Sequence, residues 1–482
     1  MRITFIGHAS LLIEANGLRI LSDPWWNGPC FGAQWWPYPL PYVQAVKDQR
    51  VDCVYVSHGH HDHFHPPTLK LFRGAKVLVA AGSELTVAIR ELGFDVIEVA
   101  AGSQTELGNG VRCRIMETHA DDTLLAVSAG GETCVNLNDS LHAAPEAVQK
   151  KFLRLIRQFY GRPDYVFCGY GTASHFPNCY VIPGKDAAAT AAMRQAYFNR
   201  AWATIMHELG PRFGFPFAAD VAFLDEDLFW CNEPVHNAER PTEVFETLFG
   251  RSAGTRVIDI APGFSIEGGA VVRERIRQPL VTGDVRRAYS DAIKRVNKIA
   301  DVDIRTVREL RDMLERNVAK GAAYFADYDR DYKCLVDIKG ASVGIRVRKT
   351  GRNLRVEVTD GARDHEQSYD VIYRTRASYL RQSLASRYGH EVLFVGSGGI
   401  FEFPTASTVA TGIHRELMAM VKPFEERGPR RPAGKAGALG TAKRLVKRLL
   451  GISRVDLYDL EKWTVLAGTA RHSKPSGQIA KT

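Results

Sequence analysis

The chain has 482 residues, of which 45% are hydrophobic and 24% are charged, so it can bury a sizeable core and is not broadly disordered. Its length favours two domains and a tail. The net charge of +9 is mildly basic and selects no class of partner. Eight cysteines without Cys-x-x-Cys pairs argue against a disulfide framework and favour a reducing, cytoplasmic location. We expect neither a signal peptide nor a transmembrane helix.

The chain opens with three predicted strands at residues 2–6, 10–14 and 17–22, which are short and closely spaced and therefore form an antiparallel meander. His8 lies in the first turn. Its imidazole is predicted to hold another functional group in place or to contact a substrate; a hydrogen-bonded turn histidine is the alternative.

Residues 25–42 form a loop that is dense in aromatic residues and prolines and begins with Trp25 and Trp26. Such a loop is stiff and presents large apolar faces, which suits the wall or lid of a pocket. The alternative is that these rings only cover the edge of a sheet.

The most informative stretch is residues 58–63, a His-x-His-x-Asp-His sequence that directly follows the apolar run 51–56. We call residues 58–63 the ligand loop. Imidazole and carboxylate groups suit zinc, iron, manganese and similar divalent ions. A tight turn after a buried strand aims His58 and His60 at one ion and Asp62 and His63 at a second. A solvated polar loop is the alternative, but so many ligand-type residues in one turn favour a metal site.

Beyond the ligand loop, strands and helices alternate: a helix at 68–73, strands at 76–80 and 96–99, and a helix at 83–92. Two later predicted strands end in further ligand-type side chains. The strand 111–118 delivers His119, and the strand 133–139 ends at Asp139.

The ligand loop has the signature of the metallo-β-lactamase superfamily, which the chain resembles over roughly its first half. The segments Gly7-His8-Ala9-Ser10 and Ser22-Asp23-Pro24 resemble the N-terminal segments of the lactonase-like and phospholipase D-like branches of the superfamily. The resemblance implies an α/β fold, an αβ/βα sandwich, in residues 1–245. It also implies that His119 completes the first metal site and that Asp139 bridges both ions; a helix-capping aspartate is the alternative for Asp139.

One ligand of the superfamily is missing from this sequence. Many members carry a late histidine after a Pro-containing strand, and Ala218 stands at the matching place. Asp220, His236 and His175 are the candidate substitutes. The second metal site therefore either has few ligands, is completed by a different residue or has a position open for substrate.

Stretches around residues 136–139, 171–180 and 216–218 are similar to the metallo-β-lactamase portion of CMP-N-acetylneuraminate hydroxylases. Those enzymes also carry a Rieske iron–sulfur module with Cys-x-His pairs. No cysteine of this chain has a histidine two residues on, so the hydroxylase activity is not carried over whole.

The second half is predicted to be a smaller α+β domain, residues 246–425, weakly similar to sterol-carrier-like domains; a lid or dimerisation domain is the alternative. Helices are expected at 283–297, 304–319 and 377–386, and strands at 334–339, 341–349, 354–359, 369–373 and 392–395. Residues 426–482 form a basic linker and an amphipathic helix at 441–450, which either contacts an anionic membrane or packs as a terminal helix.

The sequence therefore predicts a metal-dependent hydrolase that attacks an ester, lactone or phosphodiester with a metal-activated water. It is expected to bind one or two divalent ions, zinc first and iron or manganese as alternatives. Asp62 and His63 are the predicted catalytic residues, and the predicted substrate pocket contains His8, Trp25, Trp26 and His175. The partner is a small molecule and not nucleic acid. A di-iron oxygenase on the same fold and a non-catalytic lipid or metabolite carrier are the alternatives.

Overall fold

The computed structural model describes residues 1–118, 122–171, 176–233, 239–250, 254–360, 369–386, 389–409 and 411–423. The chain forms two compact units, the first from Met1–Ala173 and Ala191–Asn297 and the second from Ser174–Thr190 and Lys298–Thr482. The domain boundaries predicted at residues 245 and 425 are placed where the sequence motifs end. They stay a prediction. The helix predicted at 441–450 lies outside the described residues.

The first unit contains an eight-stranded sheet that begins with the predicted antiparallel meander and continues with parallel strands. Its strands, in spatial order, are Ala270–Arg273, Ser265–Glu267, Arg2–Gly7, Ser10–Ala15, Leu18–Ser22, Cys53–Tyr55, Lys76–Ala80 and Val96–Val99.

A second sheet of seven strands is also mixed, with three parallel pairings followed by three antiparallel ones. Its strands, in spatial order, are Arg256–Val257, Phe213–Phe217, Tyr165–Gly169, Glu132–Asn138, Thr123–Ala129, Val111–Glu117 and Thr105–Gly108. A separate pair joins Trp35–Pro37 to Val221–Phe223.

The strands are apolar on both faces, because each sheet is covered on both sides. In the first two strands, Ile3, Leu11 and Ile13 enter the core shared by the two sheets, whereas Ile6 and Leu12 enter a core beneath helices. Near-continuous apolar runs are typical of sheets buried on both faces.

Helices cover the outer faces of both sheets. The first sheet packs against Pro66–Leu69 and Leu85–Glu91. The second packs against Glu146–Tyr160, Pro241–Phe249 and the part of Ala187–Leu209 that belongs to this unit. The layers are thus helix, sheet, sheet and helix, which confirms the predicted αβ/βα sandwich. Two further helices end the unit at Thr282–Ala288 and Ser290–Asn297, where the sequence predicts one.

The second unit is the predicted smaller α+β domain and contains a six-stranded sheet. Its strands, in spatial order, are Tyr180–Val181, Gly399–Glu402, Val371–Thr375, Tyr332–Ile338, Val343–Thr350 and Asn353–Asp360. Its helices are Ile304–Lys320, Ala322–Ala326, Ala377–Ala385, Ala406–Val409 and Ile413–Met420.

The strand predicted at 392–395 is wrong. A 3-10 turn occupies Gly389–Val392, and the next strand begins at Gly399. Val392 and Leu393 are fully buried, so the run is apolar because it packs inside the unit, not because it lies in the sheet. A short apolar run does not distinguish these two cases by its periodicity.

Candidate metal centre

The ligand loop leaves the buried strand Cys53–Tyr55, which is paired in parallel on both sides. The loop ends before Pro66, which begins a short helix. His61, the spacer within the loop, stacks on Phe31 with ring centroids 5.0 Å apart. The chain therefore fixes both ends of the loop and directs His61 to a packing role.

The structure brings together the predicted ligands that it describes. The Nε2 atom of His58 lies 2.7 Å from Nδ1 of His60. The Nε2 atom of His63 lies 3.3 Å from Oδ2 of Asp62 and 3.4 Å from Oδ2 of Asp139. Asp139 faces the ligand loop, as the bridging role requires. His119 lies outside the described residues, so its predicted role stays a prediction.

His8 joins this cluster from the turn between the first two strands. Its Nε2 lies 2.9 Å from Oδ2 of Asp62. Two overlapping groups offer ligand atoms that all lie within 4.8 Å of one another: His8 with Asp62 and His63, and His58 with His63 and Asp139. The cluster thus has room for His/Asp coordination at two adjacent places.

Asp23 supports the cluster through hydrogen bonds from Ser57 and His63. Its carboxylate accepts hydrogen bonds from the Ser57 backbone N–H and hydroxyl, both at 2.8 Å, and from Nδ1 of His63 at 3.0 Å. A carboxylate behind a ligating histidine fixes its tautomer and leaves the other nitrogen for a metal. Sequence reasoning did not select Asp23; its only signal was the Asp-Pro pair at the end of a strand.

Burial and neighbouring charges set the protonation of the cluster. Burial lowers the pKa of His58 well below its ordinary value and also lowers the pKa of His60, which favours the neutral, metal-binding imidazole. Burial opposes ionisation of Asp62 and Asp139, but the neighbouring His63 outweighs it and lowers the pKa of both carboxyls. Burial likewise lowers the pKa of His63, yet the two carboxylates outweigh it and raise that pKa well above its ordinary value.

A divalent ion fits this donor set. Among the described residues, three buried atoms of the cluster have no hydrogen-bond partner: Oδ1 of Asp62, Nε2 of His63 and Oδ1 of Asp139. Buried polar atoms are nearly always satisfied, and each exception calls for an explanation. Cations at the two adjacent places, one beside Asp62 and His63 and one beside His63 and Asp139, would give these atoms partners.

Asp220, one of the candidates for the missing ligand, is engaged elsewhere. Arg277 donates to its carboxylate from Nε at 2.6 Å and from a terminal nitrogen at 3.2 Å, and the Tyr170 hydroxyl donates at 3.1 Å. The other two candidates, His236 and His175, lie outside the described residues.

The predicted pocket residues differ in exposure. Trp25 is fully buried and packs edge-on against His8, with ring centroids 5.0 Å apart. Trp26 is half-buried and packs edge-on against Phe72. A small space of about 10 Å³ lies beside His8 and is lined by Phe5, His8, Pro39, Tyr170, Pro216, Phe217, Ala218, Ala219, Asp220, Ile260 and Pro262. The pocket roles of both tryptophans stay a prediction.

The first unit has the fold of metallo-β-lactamase-type proteins and contains His/Asp groups able to hold a metal. Residues 2–124 match the model of the β-lactamase superfamily domain, which confirms the predicted resemblance. A putative Rieske 2Fe-2S iron–sulfur protein of Mycolicibacterium smegmatis is 29% identical over 254 residues, 48% of this chain and 46% of that protein. The cytidine monophosphate-N-acetylneuraminic acid hydroxylase of Danio rerio is 39% identical over 69 residues, 14% of this chain and 12% of that protein.

The chain spans less than half the length of these curated relatives. Among solved structures, a novel metallo hydrolase of Ignicoccus hospitalis covers 55% of this chain and 97% of its own, with a TM-score of 0.37 and 18% identity. A score this low supports no inference about function. Within the described residues, no helix has the length and apolar character needed to cross a membrane.

Proposed function

We propose that this protein is a metal-dependent hydrolase that cleaves an ester, lactone or phosphodiester of a small molecule. The observation that carries the proposal is the buried His/Asp cluster, in which Nε2 of His63 lies between the carboxylates of Asp62 and Asp139 and all three residues have a buried atom without a hydrogen-bond partner among the described residues. A divalent ion bound in such a site would lower the pKa of a coordinated water to about 7 and polarise the bond under attack.

The residues of the chain have distinct roles in this proposal. His58, His60 and His119 hold one ion, Asp62 and His63 hold a second, and Asp139 lies between the two. Asp62 stays ionised, because the neighbouring His63 lowers its pKa, and its carboxylate is proposed to accept a hydrogen bond from the attacking water. Asp23 orients His63. Zinc suits this donor set best, and iron and manganese are the alternatives.

The substrate is proposed to be a small molecule. The space beside His8 is too small to hold a substrate, but its lining of apolar side chains with a few polar groups, Tyr170 and Asp220, is the composition of a small-molecule site. We propose no nucleic-acid partner. A cytoplasmic location is also proposed; all eight cysteines are buried and, within the described part of the chain, form no disulfide.

The test is metal content by mass spectrometry on the full chain purified without chelator, together with hydrolysis of ester, lactone and phosphodiester probes. We expect about one or two zinc or manganese ions per chain and a featureless visible spectrum. His60→Ala is expected to lose metal and to abolish turnover while remaining folded by circular dichroism. Full activity in His60→Ala, or no metal uptake by the wild type after reconstitution, overturns the proposal.

A second candidate is a di-iron oxygenase, which a carboxylate-bridged, histidine-rich site also permits. The observation that favours it is the 39% identity over 69 residues to a hydroxylase. About two irons per chain with near-ultraviolet charge-transfer bands, and oxygen consumption without hydrolysis, support this candidate against the hydrolase.

A further inference from the structure

His8 is a buried histidine whose two ring nitrogens both face oxygen atoms of the protein. Its Nδ1 lies 3.2 Å from the backbone oxygen of Asp220, and its Nε2 lies 2.9 Å from Oδ2 of Asp62; both oxygens only accept hydrogen bonds. A neutral imidazole has one N–H and can satisfy only one of these two oxygens. In the tautomer with the proton on Nδ1, the lone pair of Nε2 and the Asp62 carboxylate face the same place, where a cation would bind both.

His63 shows the same arrangement in the same place. Asp23 accepts the proton of its Nδ1, and Nε2 faces the carboxylates of Asp62 and Asp139 without a hydrogen-bond partner among the described residues. The ligand atoms of His8, Asp62 and His63 all lie within 4.8 Å of one another. Two histidines with protein acceptors behind them and a carboxylate between them form one cation-binding group.

The His8 ring is also fixed in this position. Its backbone has the left-handed conformation, with φ of 48°, and its carbonyl oxygen accepts a hydrogen bond from the Ala218 N–H at 3.0 Å. Trp25 packs edge-on against the ring. A residue with a side chain is held in this conformation only where its surroundings impose it, and such positions concentrate at functional sites.

We propose that His8 is a direct ligand of the second metal ion, together with Asp62 and His63. This inference rests on the proposed metal-dependent function and deepens it by completing the second site. Many members of the superfamily have a late histidine where this chain has Ala218. His8 then supplies the imidazole that is missing at that position. The carboxylate of Asp220 remains with Arg277, while the backbone oxygen of Asp220 orients the new ligand.

Two substitutions separate coordination from orientation. In His8→Gln the amide reaches about as far as Nε2 and keeps a hydrogen bond to Asp62, but an amide is a poor ligand for zinc or cobalt. His8→Asn removes both functions and tolerates the left-handed backbone. The full chain is stripped of metal and titrated with Zn²⁺, with binding counted by mass spectrometry after gel filtration, and then with Co²⁺, with visible spectra recorded at each equivalent.

We expect about two ions per wild-type chain and about one in both variants, with the spectrum of the second Co²⁺ equivalent lost. Two ions in His8→Gln but one in His8→Asn overturn the inference, because His8 then only orients Asp62. Two ions in both variants also overturn it. One ion in the wild type overturns it while leaving a mononuclear hydrolase intact, whereas no ion in the wild type removes the proposed function as well.

His65→Asn is the matched control. His65 is also buried and close to the ligand loop, but its ring nitrogens lie 2.8 Å from the Thr68 hydroxyl and 3.3 Å from the Pro29 carbonyl oxygen. This variant is expected to keep both ions. Circular dichroism of all three variants shows whether each has folded before its metal content is compared.

Discussion

Asp23 determines which nitrogen of His63 is left for a cation. Its carboxylate accepts three hydrogen bonds, one of them from Nδ1 of His63, and its side chain is fully buried. Because the other two come from Ser57, directly before the ligand loop, one carboxylate positions both the loop and a candidate ligand. The geometry of the candidate ligands therefore depends on a residue that is not one of them.

Asp23→Asn is expected to lower zinc affinity about 10–100-fold without unfolding the chain, because an amide offers one acceptor oxygen where the carboxylate offers two. Competition against a chelator of known affinity measures this change. Asp52→Asn is the control, since Asp52 accepts a hydrogen bond from the Arg19 backbone N–H away from the cluster. Equal affinities in the two variants contradict the role of Asp23.

Arg277 and Asp220 form a buried ion pair in the first unit, with side chains 4% and 12% exposed. Arg277→Met is expected to destabilise the protein by about 3–5 kcal/mol, because it removes the cation from a buried carboxylate. Urea unfolding measures the loss. Arg286→Met breaks a pair whose side chains are 48% and 51% exposed and is expected to cost less than about 1 kcal/mol. Equal costs contradict the assignment of Asp220 to a structural pair.

The candidate ligands of the loop could be selected from the sequence because they are neighbours in the chain, and the structure brings them together. One apolar strand is followed by His58, His60, Asp62 and His63, and this spacing indicates metal binding. His8 has no such neighbours, so its place beside Asp62 depends on strand pairings that the sequence does not display. Asp220 remained a candidate ligand because its partner Arg277 lies 57 residues further along the chain.

At the scale of elements, the strand Tyr165–Gly169 supports the strand that delivers Asp139. It runs parallel to Glu132–Asn138 at the centre of the second sheet. Gly169 permits this approach, because an added Cβ would lie 2.7 Å from the Asn138 backbone oxygen and 3.0 Å from the His142 ring. The position of Asp139 thus depends on the absence of a side chain on the neighbouring strand.

Gly169→Ala is expected to destabilise the chain by about 1–3 kcal/mol and to weaken zinc binding, because the strand before Asp139 must shift. Thermal unfolding and the chelator competition measure the two effects. Gly74→Ala is the control, since a Cβ at Gly74 meets nothing within 4 Å and Gly74 has no positive φ. A Gly169→Ala protein as stable as this control contradicts the argument.

Elements with clear periodicity and flanking turns were predicted to within a few residues, as the helix Ile304–Lys320 illustrates. The failure at 392–395 has a physical reason. Apolar residues within a tight turn and apolar residues within a strand are buried by the same force, and only the hydrogen-bond pattern of the folded unit separates them.

For the whole molecule, metal binding is expected to contribute to stability, because the ligands come from distant parts of the chain and assemble only in the folded state. Free zinc at 100 times its dissociation constant stabilises the native protein by about 2.7 kcal/mol. Thermal unfolding is therefore expected at a higher temperature with zinc than with a chelator. The double variant His58→Ala/His60→Ala is expected to show a smaller difference; an unchanged difference contradicts the ligand assignment.

The pairing of Arg2–Gly7 with Ser265–Glu267 bears on how the protein is made in the cell. The strand that precedes His8 is synthesised more than 250 residues before its neighbour on one side. Until then that strand has an open edge, and open edges favour pairing with other chains. The sheet that positions His8 is therefore expected to be complete only after residues 265–267 have been synthesised.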